Sequence, residues 1–79
     1  MRPIGGRNLR KAFGAHLRSL REGAGISQEA LASRAGLHRT YVGSVERGER
    51  NPTLESMFVL AQALEVPLQT LLDFPLPEV

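Results

Sequence analysis

The stretch QEALASRAGLHRTYVGSVER, residues 28–47, decides the fold of this 79-residue chain. It reads as two short helices meeting at a steep angle through a tight turn, a geometry with specific demands. A small residue is needed where the helices cross, and Ala32 sits there. The turn needs a residue at ease with positive φ, and Gly36 supplies it. The wedge between the helices must be apolar, and Leu31, Leu37, Val42 and Val45 provide it. Ser27 offers an N-cap to the first helix, residues 28–35, which buries Leu31, Ala32 and Ala35. The second helix spans about residues 39–47 and ends at Gly48.

Working outward, Leu9, Phe13, Leu17 and Leu20 recur at helical spacing, flanked by Ala12 and His16. They predict a helix from Asn8 that Gly23 and Gly25 stop. Residues 1–7, with Pro3, Gly5, Gly6 and two arginines, read as a flexible basic arm. Downstream, Asn51-Pro52-Thr53 punctuates the chain, and Thr53 is a ready N-cap for a helix from Leu54 to Leu64. Its Leu54, Met57, Phe58, Ala61 and Leu64 read as core rather than as a ligand pocket. Pro67 suits the first turn of a short fifth helix reaching about Asp73. A proline-broken apolar tail follows. No segment alternates with period two, so the expectation is an all-α, compact five-helix domain over residues 8–79, with no sheet.

Composition narrows the function. A chain this short is near the lower limit for a self-sufficient core, and its 42% apolar content is ordinary for a globular domain. It has no cysteine, hence no disulfide framework or thiolate metal site. No apolar run is long enough to cross a bilayer and no signal-peptide core precedes the helices, so no membrane partner and a cytoplasmic address are expected. All ten cations, nine of them Arg, lie in residues 1–50 beside four acids, for a net +6. Residues 51–79 hold four acids and no cation, for a net −4. Such asymmetry suits one face to a polyanion and another to a different partner, and Arg forks well onto phosphate and guanine.

Other chemistries find little support. His16 and His38 lie a helix apart, so His38 reads as a surface or capping residue and no metal site is expected. Gly5-Gly6 and Gly23-x-Gly25 lack the strand and spacing of a phosphate-binding loop. The acids are scattered, with no grouping of Ser, His and Asp. Neither an enzyme nor a cofactor is expected. Leu71, Phe74 and Leu76 exceed what the core needs, and leftover apolar surface there suggests a self-associating face.

The stretches LRSLREGAGISQEALASRAGLHRTYVGSVERGERNPTLESMFVLAQAL and VPLQTLLD resemble the Cro/phage-repressor helix-turn-helix family, also called XRE-like. The resemblance covers roughly Leu9 to Asp73. Small size and the segment RTYVGSVERGERNP are similar, within that family, to controller proteins of restriction–modification systems. The resemblance implies a five-helix, lambda-repressor-like domain whose third helix enters the DNA major groove. Carried over by position, Arg39, Thr40 and Ser44 would face base edges. Gln28, Arg47, Arg50 and Asn51 would meet the DNA backbone; Tyr41, open to packing or phosphate contact, is placed with them. Arg21 and Glu46 match a position pair that forms a structural salt bridge. Gly43 departs from the pattern, where a reading side chain often stands, and implies close backbone approach or fewer direct contacts.

The function expected is therefore a sequence-specific transcriptional regulator. It would act as a homodimer, joined through the fifth helix and tail, on a pseudo-palindromic double-stranded DNA operator. Regulation would rest on concentration, dimerisation and operator arrangement, with RNA polymerase blocked or contacted beside the promoter. The alternative is an antitoxin-like interaction module that also binds DNA, for which an extra partner-binding segment would speak.

Overall fold

A computed structural model describes residues 5–77. Five helices follow one another: α1 (Gly6–Gly23), α2 (Gln28–Ala35), α3 (Arg39–Glu46), α4 (Leu54–Leu64) and α5 (Leu68–Leu71). No strand occurs among the described residues. Helix α1 begins two residues before the expected Asn8. Gly5 remains extended as its N-cap, and the Gly5 carbonyl accepts the Leu9 amide at 3.0 Å. First-turn residues need no intrahelical partner for their own N–H, so a glycine pair there does not halt the helix. Gly6 and Arg7 are thus helical, which corrects the arm's boundary; residues 1–4 lie outside the described residues.

Local chemistry sets the other ends. Ser27 Oγ accepts the Ala30 amide at 3.0 Å and starts α2; Thr53 Oγ1 does the same for Ser56 and α4. Gly36 closes α2 in the left-handed region, φ 71°, while the Leu37 amide donates to the Ala32 carbonyl at 2.9 Å. A residue with a Cβ would be strained at that φ, and the steep entry into α3 depends on it.

The core joins Phe13 and Leu17 of α1, Leu31 and Ala32 of α2, and Val42 and Val45 of α3 to Leu60, Ala61, Ala63 and Leu64 of α4 and Leu71 of α5. Helix α2 packs on α3 and α4, while α1 packs on α3 and α5, and α4 on α5. Two expectations need correction. Leu54 and Phe58 are not core but 60% and 50% exposed. Only Glu55, Ser56 and Gln62 of α4 are polar, so its sequence marks no single buried face, and packing selects the side of Met57, Leu60, Ala61 and Leu64. Leu71 is fully buried and cannot be an open dimer surface; α5 inserts it between α1 and α4. Phe74 is half-buried, edge-on to Phe13 at 6.2 Å between centroids and 5.5 Å from the His16 ring. His16 Nε2 donates to the Thr70 carbonyl at 2.7 Å. Of the three expected interface residues, Leu76 alone stands well exposed, at 64%.

Two features lock α1 to α3. At Gly14 a Cβ would lie 2.3 Å from the Val45 carbonyl oxygen and 2.5 Å from that of Glu46. Backbone meets backbone there, and no side chain fits. Farther along α1, Arg21 Nε donates to Glu46 Oε2 at 2.7 Å and Nη2 donates to Oε1 at 3.1 Å. Arg21 Nη1 reaches the Ile26 carbonyl at 2.9 Å. These bonds to Glu46 hold the Arg21 guanidinium above its ordinary pKa, against the opposing pull of burial.

Gly14→Ala should destabilise the fold by about 1–3 kcal/mol, as overpacking does, despite alanine's better helix propensity. Thermal melting checks this, and an unchanged or raised Tm would mean α1 and α3 separate freely. Truncating either Arg21 or Glu46 to Ala should cost about 3–5 kcal/mol, because the surviving charge stays buried without its partner. A double-mutant cycle should reveal coupling between them; purely additive losses would reduce the pair to independent contacts.

Candidate nucleic-acid interface

Helix α3 buries Val42, Val45 and Glu46 and leaves Arg39 and Thr40 exposed, with Ser44 half-buried. Its open side therefore carries Arg39, Thr40, Ser44 and, just past the helix, Arg47. The Ser44 hydroxyl donates its hydrogen to the Tyr41 carbonyl at 2.8 Å, which leaves its lone pairs as acceptors for an incoming donor.

Two polar clusters flank this face. On one flank, Gln28 at the start of α2 leans over α3. Its Nε2 donates to Glu46 Oε1 at 3.0 Å, and its amide lies beside the Arg47 guanidinium above Gly43. Gly43 is buried, so the expected gap in the reading surface is roofed by those two side chains. On the other flank, the Arg50 guanidinium sits 5.5 Å from the centre of the Tyr41 ring, a cation–π contact. Tyr41 and Arg50 line a groove of about 300 Å³ with Thr40, His38 and Ser56. Tyr41 also packs against the core edge, so it joins the core and the Arg50 contact in one residue. Asn51 joins neither cluster. It borders a separate groove beside Arg10 and Leu9.

Two exposed acids, unremarked at the level of sequence, stand beside the arginines. Glu49 holds Arg47 at 2.9 and 3.2 Å, and Glu29 lies 3.7 Å from Arg39. The hydrogen bond from Arg47 draws the Glu49 carboxyl below its ordinary pKa and raises that of Arg47. Exposed pairs of this kind are weak. The proximity of Glu49 to Arg47 in the chain was the available signal; nothing in sequence spacing marks Glu29. Among the described residues no three His, Cys, Asp or Glu side chains group as a metal site, and no helix is long and apolar enough to cross a membrane.

Comparison with known proteins agrees with this architecture. The helix-turn-helix family matches residues 17–71. The chain is 46% identical over 65 residues to control protein C.SmaI of Serratia marcescens, covering 82% of this chain and 77% of that protein. It is 43% identical over 68 residues to control protein C.BamHI of Bacillus amyloliquefaciens, covering 85% and 84%. Among solved structures it is similar to the restriction-modification controller protein C.AhdI from Aeromonas hydrophila, with 48% identity and a TM-score of 0.78 over 78% of this chain and 94% of that one. The chain belongs to the XRE-type helix-turn-helix family and is a DNA-binding transcriptional regulator.

Proposed function

We propose that this regulator is a restriction–modification controller that binds a pseudo-palindromic operator as a homodimer in the cytoplasm. The observation that carries the DNA-binding reading is the open face of α3 with a cationic cluster on each flank; similarity to the control proteins supports the controller role. A helix seated in the major groove needs base-reading groups along its centre and backbone contacts on both walls. Arg39 would fork onto guanine O6 and N7. Ser44, its hydrogen already committed to Tyr41, would accept from a base amino group, and Thr40 would act beside it. Gln28 and Arg47 would hold the phosphates of one wall, and Tyr41 and Arg50 those of the other, with Asn51 farther along the backbone.

For the homodimer, burial of Leu71 moves the contact surface. Leu54, Phe58, Val59 and Leu68 border an apolar groove of about 470 Å³ on the outer side of α4. Exposed Leu72 and Leu76 extend the apolar surface towards the C-terminal end. The groove lining holds no cation and one acid, Glu55, so it offers nothing to a polyanion and suits a second copy. Two recognition helices would then address half-sites about one turn, roughly 34 Å, apart. Beside a promoter, such a dimer would block RNA polymerase or contact it.

Arg39→Ala should cost about 1–3 kcal/mol at the preferred site and relax selection at one base pair. Binding titrations against operators varied base by base check this, and equal losses on every sequence would make Arg39 a phosphate contact. Phe58→Asp should leave helical content intact, yield a monomer on sedimentation, and weaken operator binding by about 10²–10⁴-fold as avidity is lost. A dimer that persists would place the interface elsewhere.

A further inference from the structure

We propose that Gly43 is a positioning residue for DNA binding: its missing side chain leaves a notch on α3 in which Gln28 and Arg47 close together on one phosphate. Glycine is a poor choice in the middle of a helix, and position 43 has none of the usual reasons for it. Its φ is not left-handed, unlike those of Gly25, Gly36 and Gly48. No backbone from another helix presses on it, as happens at Gly14. What borders the position of a Cβ is instead the pair of side-chain ends: Arg47 Nη1 at 3.2 Å, Gln28 Oε1 at 3.4 Å and Gln28 Nε2 at 3.7 Å.

The two ends come from different helices, and each is held by an acid. Glu46 fixes the Gln28 amide through one Nε2 hydrogen and leaves the second free. Glu49 holds Arg47 from the solvent side through Nε and Nη2, so Nη1 stays turned towards the notch. An amide N–H and a guanidinium N–H converging on one place suit two oxygens of a single phosphate, where charge-assisted bonds are strongest. A methyl group at position 43 would press on Arg47 Nη1, which must give by a few tenths of an ångström, and would touch the Gln28 amide at ordinary contact distance, so the two ends could no longer close over the notch. Both are tips of flexible side chains, so the fold accommodates the change while the shared phosphate contact does not.

The proposal rests on the reading that Gln28 and Arg47 meet the DNA backbone, and the test separates the two. Gly43→Ala is compared with the unmodified protein, and again in a Gln28→Ala/Arg47→Ala background, by thermal melting and by operator affinity across a salt series. In the natural background Tm should rise by on the order of 4 °C, the usual gain for Gly→Ala inside a helix of a domain this size. Affinity should fall by about tenfold on operator and unrelated duplex alike, because phosphate contacts position without specifying, and the salt dependence should become shallower by about one ion. In the doubly substituted background Gly43→Ala should cost nothing further. An equal loss there would show that the helix backbone itself approaches DNA at Gly43, and would overturn the notch. Unchanged affinity in the natural background, or a lowered Tm, would overturn it too. If Gln28→Ala/Arg47→Ala by itself leaves affinity and salt dependence untouched, the backbone-contact reading fails first and the notch has nothing to position.

Discussion

The Glu46 carboxylate is buried where three helices meet, with Oε2 taking the Arg21 Nε hydrogen at 2.7 Å and Oε1 shared by Arg21 Nη2 and Gln28 Nε2. Removing two charges from water costs several kcal/mol per ion, and attraction offsets this only when geometry is good and the remaining polar atoms are satisfied. Both conditions hold. Arg21 spends its third nitrogen on the Ile26 carbonyl, and among the described residues no buried side-chain nitrogen or oxygen lacks a partner. Apolar contacts alone would hold α1 against α3 with some freedom to slide, since burial is non-directional. A forked ion pair fixes the register, and the Gly14 contact fixes the distance. The turn at Gly36 then sets how α2 meets α3, and Gln28 brings α2 back onto the same carboxylate.

Charge and hydropathy divide the surface as they divide the chain. The arginines of α3 and of the loop behind it lie with Gln28 and Tyr41 around one open helix face, and Glu29 and Glu49 stand beside two of them. The outer side of α4 is apolar and carries no cation. The hydrogen bond from Arg47 lowers the Glu49 pKa, so the carboxylate keeps its charge to lower pH than a free glutamate would. With Arg39 and Arg47 so paired, part of the positive charge of this face is offset, and under the proposed function a duplex would displace those acids to engage the two cations.

The architecture was largely legible in sequence because its strongest signals are local. Leu31, Val42 and Val45 follow helical spacing, Gly36 occupies the position in the α2–α3 turn that demands positive φ, and Ser27 and Thr53 cap as their positions imply. What escaped depends on contacts between distant segments. Gly14 inside a helical run looks like a weakness until the α3 carbonyls are placed against it. Helix α4 is apolar on nearly every side, so periodicity cannot choose Leu60 over Leu54 or Phe58. Helix α5 is a single turn, too short to define a face, and Leu71 cannot be told from Leu72 by pattern. At the candidate interface the residue types on α3 were readable, whereas the bond between Gln28 and Glu46 and the roof over Gly43 join positions 15 to 18 apart and belong to the packed helices.

Burial of Leu71 has a consequence for how the protein is made. A four-residue helix has no stability of its own, yet α5 supplies one of the fully buried leucines and closes the space between α1 and α4. The DNA-reading pair α2–α3 is complete in the chain by residue 46, but its supporting core is not closed until residue 71 can dock. During synthesis, when domains fold as units from the amino terminus, α3 emerges from the ribosome well before it has a finished surface to rest on. The fold that presents α3 thus depends on residues that follow it in the chain. A nascent or prematurely terminated chain would carry the whole recognition sequence without the fold that presents it.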